Sequence, residues 1–205
     1  MTDKTRRNPR QARAEATVQA IFEATFQLLE AHGVEKLSTN HIAARAGVSI
    51  GTLYQYFGSK QDILAGLAQQ RAEATRNEIA ATIIERPDPG SIRSIVRALT
   101  RSFRGSPATR RALLDALLDR GGEGVFMEHH EAFLASISGK ARLQIELTPE
   151  SAFVLTHAVP RLLRAAAAAE PATGLDPDAL EEELVRLMEA YVGALMARRV
   201  STHAN

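Results

Sequence analysis

The chain contains no cysteine and no tryptophan. Without thiols there can be no disulfides, thiolate zinc sites, iron–sulfur clusters or cysteine nucleophiles. The same absence fits a reducing compartment, so a cytoplasmic protein is expected. An excess of one charge is also missing: the formal net charge is only +1, so bulk electrostatics does not announce nucleic acid. No apolar run approaches the ~18 residues of a spanning helix. The basic opening MTDKTRRNPR is not followed by an apolar signal core, so neither a membrane partner nor a secretion signal is expected. Phosphate loops, nucleophile elbows and dinucleotide fingerprints are absent as well, which leaves an enzyme reading without support and calls for no cofactor. What is present is 205 residues, 45% hydrophobic and 24% charged. These are values of a folded soluble protein with one ordinary domain, or one small and one medium domain, and a core that needs no staples.

The charge is unevenly placed. Residues 1–60 carry eight Lys/Arg against five acids, +3, and the remainder carries −2. Five of those bases (Lys4, Arg6, Arg7, Arg10 and Arg13) lie in the first thirteen residues. A basic arm over 1–12 is a common way to meet phosphates, and equally a tail that aids solubility.

The pattern predicts an all-α protein, with Pro and Gly clustered between periodic segments. A first helix spans 13–32, with Val18, Ile21, Phe22, Phe26 and Leu29 in one stripe and Gly33 as its left-handed stop. Ser38 caps a short helix that ends at Gly47, and Ser49 caps another that ends at Phe57. The pairs Leu37/Ile42 and Val48/Leu53 form hydrophobic staples. Ser59 and Asp62 open a long helix to Glu85, which Pro87-Asp88-Pro89-Gly90 breaks. Further helices are expected over 91–104, 107–120, 123–143, 148–169 (kinked at Pro160) and 176–199.

Residues 38–57, STNHIAARAGVSIGTLYQYF, read as helix, tight turn, helix. Helices this short need the first helix behind them, so a three-helix unit over 13–58 is expected. A helix-turn-helix sets its second helix into the DNA major groove. With Leu53 and Phe57 turned inward, Ser49, Gly51, Thr52, Gln55 and Tyr56 are left outward or at the rim. Gly51 lets the backbone come close. Thr52 suits a thymine methyl or a phosphate, and Gln55 suits adenine. Tyr54 and Tyr56 can donate to phosphate oxygens, Lys60 adds charge near the backbone, and Thr39 lies where its helix crosses the phosphates. Other roles stand beside these. Tyr54 can pack against the first helix, Ser49 can cap as well as contact, and Lys60 can be a solvated first-turn lysine.

The stretch EATFQLLEAHGVEKLSTNHIAARAGVSIGTLYQYFGSKQDILAGL closely resembles the DNA-binding domain of the TetR family of ligand-controlled transcriptional regulators. Gly33, Thr39, Ile42, Ala43, Ala46, Gly47, Val48, Gly51, Leu53, Tyr54, Tyr56, Phe57, Ser59, Lys60 and Leu64 carry the resemblance. It implies phosphate contacts at Thr39, Tyr56 and Lys60, and a groove-facing set of Ser49, Ile50, Gly51, Thr52, Tyr54 and Gln55. Ile50 and Gln55 stand where the family varies, which makes them candidates for choosing the sequence. A larger helical ligand-binding and dimerisation domain is expected over 59–205, which beyond the quoted stretch matches only in being helical.

The last helix points to a homodimer on its own. Leu180, Leu184, Leu187 and Tyr191 form one stripe, and Val185, Met188, Val192 and Met196 a second beside it. Together they are wider than a one-sided helix needs. The preceding helix is apolar on almost every side, through Phe153, Val154, Leu155, Ala158, Val159, Leu162 and Leu163. Candidate interface residues are Phe153, Leu162, Leu187, Met188, Val192 and Met196; a buried hairpin in a monomer is the alternative. The resemblance further implies a small-molecule pocket in the larger domain. Phe103, Phe126, Met127, Phe133, Phe153 and His157 are its candidate lining, for an apolar or weakly polar effector.

Glu128-His129-His130-Glu131 lacks the i, i+4 spacing of a zinc helix and reads as surface, so no metal site is expected. The whole reads as a homodimeric repressor that a small ligand releases from a pseudo-palindromic operator in double-stranded DNA. The alternative is a helical protein–protein interaction module whose helix-turn-helix does not read DNA.

Overall fold

The computed structural model describes residues 9–85, 91–102, 105–119, 131, 148–169 and 174–202. These residues build helices and no strand. The chain divides into two compact units, Met1–Leu67 and Ala68–Asn205, later than the 58/59 division that the sequence suggests. The expected helix over 123–143 falls outside the described residues, Glu131 apart.

The first unit holds α1 (Pro9–His32), α2 (Thr39–Ala46), α3 (Ile50–Tyr56) and the opening turns of α4 (Lys60–Glu85). α1 starts at Pro9, ahead of the expected Arg13, because proline at a first helical position is pre-set for the helix. Residues 9–12, expected in the basic arm, are therefore helical. Ile21, Phe22, Ala24 and Leu29 bury one face of α1, with Thr25 among them. The Thr25 hydroxyl donates to the Ile21 carbonyl at 2.7 Å, so its burial leaves no unmet donor. Gly33 ends α1 at φ 72, and its N–H donates to the Leu29 carbonyl at 2.9 Å.

Across from α1 lie Leu37, Ile42, Ala43, Leu53, Ile63 and Leu64, all buried. Gly47 closes α2 at φ 69, with its N–H turned to the carbonyls of Ala43 and Ala44. Ser59 caps α4 together with Asp62: the Ser59 hydroxyl donates to Asp62 Oδ2 at 2.6 Å, and the Asp62 N–H donates to Ser59 Oγ at 3.2 Å. The Phe22 and Phe57 rings meet at 5.5 Å between centroids, tilted by 50°. Gly66 makes that contact possible, since a Cβ there would lie 2.9 Å from Phe22 Cζ.

The second unit comprises the rest of α4, α5 (Ser91–Ser102), α6 (Pro107–Asp119), α7 (Pro149–Ala169) and α8 (Pro177–Thr202). Three of these helices start in the same way, with a capping side chain followed by proline. Ser106 accepts from the Thr109 N–H, Thr148 from the Ser151 N–H, and Asp176 from the Ala179 N–H. α7 runs through Pro160 as one helix.

The core joins Ile92 and Val96 of α5 to Val159 of α7 and to Leu184, Val185, Met188 and Val192 of α8. Leu99, Leu155, Leu163, Leu180 and Met196 pack against it. Three arginines at helical spacing seal its rim. Arg93 pairs with Glu182, Arg97 with Glu181 at 3.2 Å, and Arg101 with Glu78 of α4 at 2.8 Å. The Arg93 hydrogen bond holds the Glu182 carboxyl below the ordinary carboxylate range. Among the described residues no helix is long and apolar enough to cross a membrane.

The core, not its ionic rim, should set the stability of this unit. Leu184→Ala is expected to cost about 2–5 kcal/mol in urea unfolding, and Arg93→Ala far less, because exposed pairs are screened. The pH dependence has a definite sign. A lowered folded pKa means that the Glu182 contribution is present above the unfolded carboxylate value and is lost as pH falls through the lower one. Glu182→Gln should therefore flatten the acid limb of the stability curve.

Candidate nucleic-acid interface

α3 is only seven residues long, too short to persist alone in water. Its ends and one buried side chain hold it in place. Ser49 sits in extended backbone at the N-cap, and its Oγ accepts the Thr52 N–H at 2.9 Å. The Ser49 and Thr52 hydroxyls lie 2.8 Å apart. Leu53 is completely buried. The Phe57 N–H closes the other end on the Leu53 carbonyl.

Fixing Leu53 inward decides where the rest points. At 100° per residue, Gly51 and Gln55 fall farthest from it, one turn apart on the outer side, and both are exposed. Ile50 is 39% exposed, Tyr54 53% and Tyr56 38%. Ser49 is exposed and Thr52 half-buried. A short helix that leaves an isoleucine and two tyrosines in water, and caps itself to do so, has the make-up of a contact surface. Gly51 supports this. A Cβ there would meet only Ser49 Oγ, at 3.7 Å, so nothing inside the subunit requires glycine.

Thr39 opens α2, and its Oγ1 lies 3.2 Å from Tyr54 Oη. The tyrosine is thus anchored on α2 and half in water. Whichever hydroxyl donates within this pair, the other has a proton left for a phosphate oxygen. Lys60 is more enclosed than a solvated first-turn lysine. It is half-buried, and its Nζ donates to the carbonyls of Leu37 at 3.1 Å and Val34 at 3.4 Å. Sequence reasoning also missed Arg45, whose Nε and Nη2 both donate to Gln27 Oε1, at 2.8 and 2.7 Å. Gln27 in turn donates to Glu23 at 2.7 Å. This chain ties α2 to α1. The only signal in the sequence was an unassigned base inside the motif.

The remaining candidates divide. Phe103, Phe126, Met127 and Phe133 lie outside the described residues, as do Glu128, His129 and His130; Glu131 is exposed. His157 is buried, and its ring stacks on Phe153 at 4.0 Å and 22°. Of the interface candidates, Phe153, Leu162 and Leu187 are exposed. Met188 and Val192 are buried in the subunit's own core, and Met196 packs against it. These three thus serve the subunit's own core. The turn of α8 that carries Leu184 and Val185 brings them onto the same inward face. Among the described residues no group of three or more His, Cys, Asp or Glu could hold a metal ion.

Residues 21–67 match the sequence profile of the bacterial regulatory proteins of the tetR family. The N-terminal unit is thus similar to the DNA-binding domain of that family over residues 21–67. An uncharacterised HTH-type transcriptional regulator of Mycobacterium tuberculosis is 29% identical over 114 residues, 56% of this chain and 52% of that one. The chain thus aligns with about half the length of the curated relatives it matches. The fold extends the likeness. A TetR-family transcriptional regulator from Streptomyces coelicolor superposes with a TM-score of 0.61 at 23% identity, over 87% of this chain and 99% of that one. The multidrug binding protein EbrR, solved with ethidium, does so with a TM-score of 0.51 at 22% identity, over 83% and 97%. The matched family and the Mycobacterium and Streptomyces relatives are regulators, not enzymes.

Two substitutions on α3 separate recognition from folding. Gln55→Ala should leave stability unchanged, cost about 1–3 kcal/mol of discrimination and relax base preference at one position; binding-site selection reads this. Gly51→Ala should stabilise the free protein by about 0.5–1 kcal/mol, since alanine replaces glycine in a helix. It should also weaken DNA binding by holding the duplex off.

Proposed function

We propose that the protein is a sequence-specific DNA-binding regulator of transcription in the cytoplasm. It acts as a homodimeric repressor on a pseudo-palindromic operator and is released by a small molecule. The observation that carries this reading is the outward face of α3, where Gly51 and Gln55 are flanked by exposed Ile50, Tyr54 and Tyr56. Ile50 and Gln55 choose the sequence. Thr39, Tyr54 and Tyr56 take phosphates, and Ser49 and Thr52 border the groove.

Dimerisation is supported by exposed Phe153, Val154 and Leu162 on α7 and Leu187 on α8. These are large apolar side chains left in water beside a core that is already filled. A two-fold dimer would put its two α3 helices into half-sites one turn apart, ~34–36 Å between centres. Effector binding is supported by the fold shared with EbrR, which was solved with ethidium and with imidazole. A ligand releases DNA only if it binds the DNA-incompetent state more tightly. Phe153 and His157 form an aromatic pair that suits an apolar or weakly polar molecule.

Selection of bound fragments from the source genome, followed by gel retardation across a salt series, tests the reading. Affinity should fall steeply with salt through counterion release. If no pseudo-palindromic fragment is retarded even at low salt, the exposed face of α3 is a protein-docking surface. Leu187→Glu should yield folded monomers by light scattering and weaken operator binding, since Leu187 is exposed. An intact dimer would move the interface elsewhere.

A further inference from the structure

We infer that the reading head selects A·T pairs through the thymine methyl group, and that Ile50 is the side chain that meets it. This names the bases for the DNA-binding reading and rests on it.

α3 lacks the side chains that read G·C best. Guanine O6 and N7 are taken most often by arginine or lysine, and cytosine N4 by a carboxylate. Between Arg45 and Lys60 the chain carries no charged side chain, so α3 and both of its caps have none of these. Of the two flanking bases, Arg45 is bonded to Gln27 of α1. Lys60 opens α4, where its charge suits the phosphate backbone and not a base edge.

What α3 does offer is apolar. A recognition helix contacts base edges with its N-terminal residues, and here these are Ile50, Gly51 and Thr52. Ile50 is exposed, and Gly51 sets no side chain beside it. Ser49 Oγ accepts the Thr52 N–H at 2.9 Å and lies 2.8 Å from the Thr52 hydroxyl. The polar atoms at this end are thus engaged with one another. Left for a base are the branched side chain of Ile50, the bare backbone of Gly51 and the γ-methyl of Thr52.

The apolar group that base edges show in the major groove is the C5 methyl of thymine. Over a G·C pair the same isoleucine would cover N7, O6 and N4 without pairing them, and polar groups buried unpaired are costly. Attraction to the methyl and this penalty both favour A·T. Gln55 is exposed one turn beyond Gly51 and suits adenine N6 and N7. The head therefore carries one group for the thymine edge and one for the adenine edge.

Modified bases isolate the methyl. Uracil in place of thymine removes it and keeps every hydrogen-bonding group, and 5-methylcytosine returns it on a G·C pair. The starting duplex is the best fragment from binding-site selection, read by fluorescence anisotropy across a salt series. Its half-site cores should be rich in A·T. At one thymine of each half-site, uracil should weaken wild-type binding about fourfold per half-site, the effect of one buried methyl-sized group. The salt line should stay parallel, because no phosphate contact changes. Cytosine in that place should bind more weakly still, and 5-methylcytosine should recover part of the loss. Ile50→Ala should weaken binding to the thymine duplex by a similar factor and bind thymine and uracil alike. If uracil equals thymine at every position while cytosine stays disfavoured, the shape of the groove chooses A·T. Half-site cores of G·C would mean that other side chains or bridging water read the bases. A methyl effect that survives in Ile50→Ala would move the contact to another residue. Each of these three results overturns the inference and leaves the DNA-binding reading standing. If no fragment is retained even at low salt, both fall together.

Discussion

A helix of two turns has to be held from one side and read from the other, and the N-terminal unit is organised around that constraint. Leu53 is the only fully buried side chain of α3. One leucine fixes the rotation of a helix but not its tilt. The tilt is set by the ends, through the Ser49 cap and through Phe57 against Phe22. The second contact depends in turn on Gly66, because any side chain there would meet the Phe22 ring. A glycine inside α4 carries a helix-propensity penalty of about 1 kcal/mol. That penalty is tolerable because the close approach it permits holds the helix that reads.

Rigid presentation has a thermodynamic purpose. Every side chain or loop that must be ordered on binding subtracts from affinity. In the free protein the Thr39 and Tyr54 hydroxyls already face each other, Ser49 and Thr52 already share a hydrogen bond, and Lys60 already fastens the turn before α2. The polar side of the reading head is thus ordered beforehand. The side chains with most freedom, Ile50 and Gln55, are the ones expected to adapt to base edges. Arg45 obeys the same division. Its guanidinium is bonded to the neutral amide of Gln27, so it fixes geometry in the head while keeping its charge.

What could be read in the sequence was local. Ser38, Ser49 and Ser59, the cap–proline pairs at Ser106, Thr148 and Asp176, and the glycines at 33 and 47 act within four residues of themselves, so spacing alone exposes them. The outward set on α3 came from Leu53 and a 100° step. What could not be read was long-range. Lys60 meets carbonyls 23 and 26 residues away, and Arg45 meets Gln27 across 18. No periodicity encodes such pairings. α8 was ambiguous for a different reason. Two adjoining apolar stripes look equivalent in sequence, and only the position of Ile92, Val96 and Val159 decides that Met188 and Val192 turn inward while Leu187 stays outside.

That last distinction bears on why an apolar surface persists on this chain. A core that already holds Leu184, Val185, Met188 and Val192 gains nothing from leaving Phe153, Val154, Leu162 and Leu187 in water. Large apolar side chains left in water are a liability where nothing covers them. In the proposed function a second copy is the occupant, and it also serves recognition. A two-fold interface uses the same patch on both subunits, and it ties together two heads that each bury little on their own. Engagement of one half-site then raises the effective concentration of the other head at its partner site, multiplying affinity without new contacts. On this reading the outer face of α7 and α8 and the outer face of α3 answer the same problem, because a seven-residue helix presents too little surface to be selective alone.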